Sequence, residues 1–130
     1  MIFVDSSVWI NYFNDISCPE VEKLDALLGI TPVATGDLIL IEVLQGFRSD
    51  RDFKTAQDLL TSLTIFNILD TSLALKSADN FRLLRKKGIT IRKTIDVIIA
   101  TFCIENDLPL LSFDKDFQPF HDYSSLKNAL

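Results

Sequence analysis

Short β-rich runs separated by helical stretches recur along the whole chain, and this alternation constrains the fold more than any other feature. Ile2-Phe3-Val4 reads as a short buried strand, and Pro32-Val33-Ala34-Thr35 as a weaker one. Residues 64–69 alternate and are β-rich, and Pro109-Leu110-Leu111-Ser112 reads as the last clear strand. Between them the spacing predicts helices over residues 8–13, 19–28 and 38–47, and from Asp50 or Asp52 to about Leu63. A long helix starts at Asp70-Thr71 and stops at Gly88, and another covers 95–106 with Thr94 as its cap. Ser6 or Ser7 is the candidate cap of the first helix, and Pro19 suits the opening position of the second. Residues 113–117 read as a loop, while the tail from Gln118 fits a final strand or a helix. Strands joined by helices of ordinary length require right-handed crossovers and a mostly parallel sheet covered on both faces. The expected fold is therefore an α/β three-layer α/β/α sandwich, formed as one domain over residues 1–130.

Composition narrows the class of function. Net charge is −5, which disfavours a broad basic nucleic-acid surface. Seven of the basic residues nevertheless fall between positions 76 and 93. Within that stretch Arg82, Arg85, Lys86 and Lys87 read as a solvated helix face. A single histidine, His121, leaves little material for His-based triads or zinc sites. Cys18 and Cys103 form no C-x-x-C pair, and Cys103 sits in an apolar run, so a reduced cytoplasmic setting is expected. The opening Met1-Ile2-Phe3-Val4-Asp5 lacks a basic leader region, and no apolar run approaches a membrane span.

The carboxylates ask for a physical reason. In open parallel sheets, sites form outside the carboxyl ends of the strands. Asp5 follows the first strand directly, and Asp114 and Asp116 follow the last. Glu42 and Asp96 lie inside helices apolar nearly all round, which read as buried. A buried carboxylate is costly unless it is paired or bound to a cation. Each acid also has an ordinary reading: Asp5 as a helix cap, Asp96 as a partner of the helix dipole, Glu42 as a solvent-facing group or a partner of Arg48, and Asp114 with Asp116 as a polar turn. Four acids at one sheet edge form a stronger pattern than any alone. Their mutual repulsion is relieved by a hard dication with oxygen ligands, Mg²⁺ or Mn²⁺, a chemistry suited to phosphodiesters.

Several motifs then fall into a familiar order. The chain resembles the PIN-domain ribonucleases, most closely the VapC toxins of VapBC toxin–antitoxin pairs. The resemblance is carried by Ile2-Phe3-Val4-Asp5-Ser6-Ser7-Val8-Trp9, by Ile41-Glu42-Val43-Leu44-Gln45-Gly46, by residues 88–100 around Asp96, and by Leu110-Leu111-Ser112-Phe113-Asp114-Lys115-Asp116-Phe117. It implies a metal-dependent endoribonuclease that forms a homodimer and is neutralised by a cognate antitoxin. It implies Asp5 and Asp96 as principal metal ligands, Glu42 and Asp114 completing the cluster, and Asp116 acting through water. Ser6 would support substrate or a ligand, beside its reading as a plain cap, and Arg92 and Lys93 would meet RNA phosphates. The apolar N-terminal helices, with Trp9, Tyr12, Phe13, Leu40 and Phe47, would be mostly core, with part used for dimerisation or antitoxin docking. Three other readings remain open from the sequence: a receiver-like phosphoacceptor domain, a catalytically idle PIN binding module, and, closer to the first reading, a nuclease acting on DNA.

Overall fold

A computed structural model describes residues 1–130. The strands are β1 (Ile2–Val4), β2 (Val33–Gly36), β3 (Thr64–Phe66) and β4 (Leu110–Leu111). The helices are α1 (Ser6–Phe13), α2 (Pro19–Leu27), α3 (Asp37–Leu44), α4 (Asp50–Thr61), α5 (Thr71–Lys86), α6 (Thr94–Glu105) and α7 (Gln118–Tyr123), with a 3₁₀ turn at Lys115–Phe117 before α7.

All strand pairs are parallel, in the order β3-β2-β1-β4. The chain steps outward from β1 to β2 to β3, and α5 and α6 then carry it back to β4 on the other side of β1. Right-handed crossovers in these two directions place α1 to α4 on one face and α5 with α6 on the other. The packing agrees: α1 lies against α2 and α3, α3 against α4, and α5 against α6. The expected three-layer sandwich is what forms. Its strand order reverses between β1 and β4, so the crevice of such a sheet opens beyond their carboxyl ends.

Local chemistry sets the element boundaries. Asp70 caps α5 by accepting from the Leu73 amide at 2.8 Å. Gly88 stops the same helix with φ +82°, a conformation that disfavours any side chain. Phe3, Val4, Leu110 and Leu111 are fully buried, because β1 and its neighbour β4 are covered on both faces.

Three expectations need correction, and one left open is decided. The cap of α1 is Asp5, and Ser6 is the first helical residue. Lys93 holds the cap position of α6 without a side-chain bond, and Thr94 is the first helical residue. α3 is shorter than its apolar run, and it is not buried all round: Ile39 and Val43 are inside, but Ile41 is 59% exposed. Its neighbours α1 and α4 cover only part of its girth. The tail resolves as α7 followed by a single parallel bridge from Asn128 to Leu110, one residue short of a strand.

Candidate active site

Asp5 leaves β1 at the point where strand order reverses. Its backbone amide donates to the Leu111 carbonyl at 2.9 Å, which holds the end of β1 beside β4. The Asp5 Oδ2 accepts from the Ser7 amide at 3.1 Å, the Ser7 hydroxyl at 2.7 Å and the Ser112 hydroxyl at 3.4 Å. Ser7 Oγ also accepts from the Phe113 amide at 3.0 Å, and Ser112 Oγ accepts from the Asp114 amide at 3.0 Å. Two hydroxyls from distant parts of the chain thus lock the first acid and the last acidic loop in one register.

Asp114 in turn caps the 3₁₀ turn, its Oδ1 accepting from the Asp116 amide at 2.9 Å. That turn brings Asp114 and Asp116 to the first turn of α6, where Asp96 sits. One carboxylate oxygen from each of Asp96, Asp114 and Asp116 lies within 4.8 Å of the others. Basic side chains answer this charge from the α5–α6 connection. Arg92 reaches Asp116 at 3.4 Å, and Lys93 reaches Asp114 at 3.7 Å.

Burial and repulsion raise the proton affinity of three of the acids. Asp5, 3% exposed, is raised first by loss of hydration, against the lowering effect of its bonds from Ser7. Glu42 is raised by burial and then by the Asp5 charge, with Ser6 and Lys93 acting the other way. Asp96, 5% exposed, is pushed up to about 7 by burial, then by the charges of Asp5 and Asp114, with Lys93 opposing. These influences tie Asp5, Glu42, Asp96 and Asp114 into one electrostatic unit. Buried acids whose proton affinities are raised by one another are a mark of functional sites.

The donor set fits a hard cation. Glu42 Oε1 and Asp96 Oδ2 are buried and have no hydrogen-bond partner. A buried carboxylate oxygen without a donor carries a desolvation cost that a dication with oxygen preference removes. Lys93 and Arg92 neutralise the outer pair of acids but leave these two inner oxygens unanswered.

All five acids singled out in the sequence therefore sit around this edge, though with different weights than expected. Asp116 belongs to the tight triad, whereas Asp5 stands behind it with its Oδ2 committed to the α1 cap and to the two serines. Ser6 is buried and close enough to Glu42 to lower its proton affinity. Glu42 makes no ion pair with Arg48, and Arg92 and Lys93 face the acids. Ser7 and Ser112 were missed by sequence reasoning. The only available signal was their place directly beside the two acidic motifs. Ser7→Ala removes a bond to Asp5 and one to the Phe113 amide, and it should lower the turnover of the site by about 10–100-fold and cost about 1–3 kcal/mol of stability. Steady-state kinetics beside a urea titration reads both.

Residues 2–121 match the model of the PIN domain family. Ribonuclease VapC11 of Mycobacterium tuberculosis is 28% identical over 132 residues, covering 99% of this chain and 98% of that protein. The structure of VapBC2 from Rickettsia felis bound to a promoter DNA fragment superposes with a TM-score of 0.75 at 19% identity, covering 98% of each chain. A toxin–antitoxin complex from Klebsiella pneumoniae superposes at 0.67 with 22% identity over 90% of each chain.

Proposed function

The chain belongs to the PIN domain family, and from that premise we propose that it is a single-domain, divalent-metal-dependent endoribonuclease, the toxin of a type II toxin–antitoxin pair. One observation carries the reading: acids from β1, α3, α6 and the β4 loop converge, and two of their buried oxygens, on Glu42 and Asp96, have no donor. Mg²⁺ is the ion that suits an all-oxygen site serving phosphate chemistry, and Mn²⁺ substitutes for it.

Asp96, Asp114 and Asp116 would hold the ion, with Glu42 and Asp5 completing the negative pocket. When bound, the ion supplies Lewis acidity, which makes water a usable nucleophile near neutral pH and stabilises charge on the scissile phosphate. Asp96 would meet the ion with the oxygen it leaves without a donor, and Glu42 would orient the attacking water and accept its proton. Ser7 and Ser112 keep Asp5 and the acidic loop from drifting apart. Arg92 and Lys93, exposed beside Asp116 and Asp114, would meet the phosphates of the RNA. Attack by water leaves a 5′-phosphate and a 3′-hydroxyl and needs no side-chain nucleophile.

The antitoxin contact belongs to the α1–α3 side. There Ile10 and Ile41 are exposed, and a shallow cleft runs from Phe13 and Phe47 to Glu42. An apolar helix lying along it can send one basic side chain to Glu42, which blocks the site by supplying the missing donor. No helix is long and apolar enough to cross a membrane. We place the protein in the cytoplasm as a homodimer paired with its antitoxin.

Cleavage of single-stranded and structured RNA in Mg²⁺, Mn²⁺ or chelator tests the proposal. Products with 5′-phosphates in either ion, and none in chelator, are expected. Cleavage that survives chelation, or cyclic phosphate ends, would sink it. Labelling by acetyl phosphate would instead indicate a receiver-like domain.

A further inference from the structure

A cleft of about 490 Å³ lies between α5 and α6, on the face of the sheet away from α1. Ala74 and Ala78 keep it open from the α5 side, and Phe81, Val97 and Ile98 give it apolar walls. At its floor Ser77 is 6% exposed, and its hydroxyl has no hydrogen-bond partner. At its rim stand Arg82 and Arg85, neither with an acidic partner in a chain that carries five excess negative charges. The Arg85 guanidinium lies over the Phe81 ring at 5.6 Å, leaving its outer edge free. Thr94 and Val97 line the cleft on the same turn of α6 that presents Asp96 to the acidic cluster. Arg82 and Arg85 are solvent-exposed, as a solvated helix face requires, and they also border this cleft.

We propose that this cleft is a nucleotide subsite, taking one base of a single-stranded RNA between α5 and α6 while Arg82 and Arg85 hold its phosphate. The assignment rests on the ribonuclease reading and extends it to substrate recognition. An apolar slot with one buried hydroxyl suits the flat face and polar edge of a base. Two unpaired guanidinium groups suit a phosphate, which they can grip with several donors each. The uncapped start of α6 adds amide dipoles of the same sign. A second copy of the chain is the competing occupant. The two arginines at the rim, without acidic partners, favour a polyanion over another copy of an acidic chain.

The test is fluorescence anisotropy with a labelled RNA octamer in chelator, where no cleavage intrudes, compared with the same octamer made abasic at its centre. Ala78→Leu fills the slot at an exposed helical position, and an Arg82→Gln, Arg85→Gln double variant removes the phosphate grip. Each should weaken binding of the intact octamer by about 10-fold or more, and Ala78→Leu should also erase the preference for intact over abasic RNA. Mn²⁺ affinity and sedimentation mass should not change. Unchanged RNA affinity in both variants would overturn the assignment. So would a fall in mass on Ala78→Leu, which would make the cleft an interface between copies. Octamer binding that shows these effects in a protein unable to cleave RNA would sink the ribonuclease reading and keep the subsite.

Discussion

Asp96→Asn should cut RNA cleavage by about 10²–10³-fold, the scale set by losing one electrostatic contact to a transition state, while making the metal-free protein more stable. Both effects have one cause. Asp96 is buried beside Asp5 and Asp114, and its pKa is pushed up to about 7 from the ordinary 3.8. Between those values the folded protein keeps a proton that the unfolded chain has released. Stability is therefore highest at the acidic end of this window, falls as pH rises, and reaches its lower plateau above about 7. Asparagine never ionises, so the variant should lose that slope and gain about 1–3 kcal/mol at pH 8, each pKa unit being worth about 1.4 kcal/mol. Dication at 100 times its dissociation constant restores about 2.7 kcal/mol to the wild type and much less to the variant. Urea titrations at pH 5.5 and 8, with and without Mg²⁺, read the slope, the gain and the effect of the ion. Equal stability of the two proteins at pH 8 in chelator would show that the carboxylate is not strained.

Asp5 separates a structural duty from a chemical one. Its Oδ2 caps α1 and receives both serine hydroxyls, while its charge raises the proton affinity of Glu42 and Asp96. Asp5→Asn retains an acceptor oxygen and removes the charge. It should keep the fold at wild-type stability or above and lose cleavage by about 10²–10³-fold. Asp5→Ala removes the acceptor as well. It should cost a further 2–3 kcal/mol or so, from the lost cap and from serine donors left without their partner. If both variants unfold alike, the serines rather than the acid hold this edge together. If Asp5→Asn cleaves RNA normally, Asp5 has no part in the chemistry.

These two acids also show what a sequence can and cannot disclose. Alternating hydrophobic runs and helix stops report local structure, and β1, the Asp70-to-Gly88 helix and the buried Asp96 were legible from them. Acids next to strand ends were legible too, because a parallel sheet has only one edge where they can collect. The exposure of Ile41 was not legible, since an apolar pattern does not say how much of a short helix its neighbours will cover. The Asn128 bridge was equally silent, being one pairing made at long range. The hydroxyl link from Ser7 to Ser112 joins residues 105 apart, and serine is too common at helix starts to mark such a contact. Asp116 was underrated for a similar reason: only the tight 3₁₀ turn after Asp114 swings it into the triad.

Titrating Mn²⁺ into the wild type and Asp96→Asn by calorimetry, at pH 6 and pH 8, probes the gathering of carboxylates most directly. The wild type should bind more tightly at pH 8, where Asp96 has given up its proton, and the variant should bind at least about 10-fold more weakly with little dependence on pH. The same affinity in both proteins at both pH values, or no binding by the wild type, would contradict a cation site built on Asp96 and its neighbours.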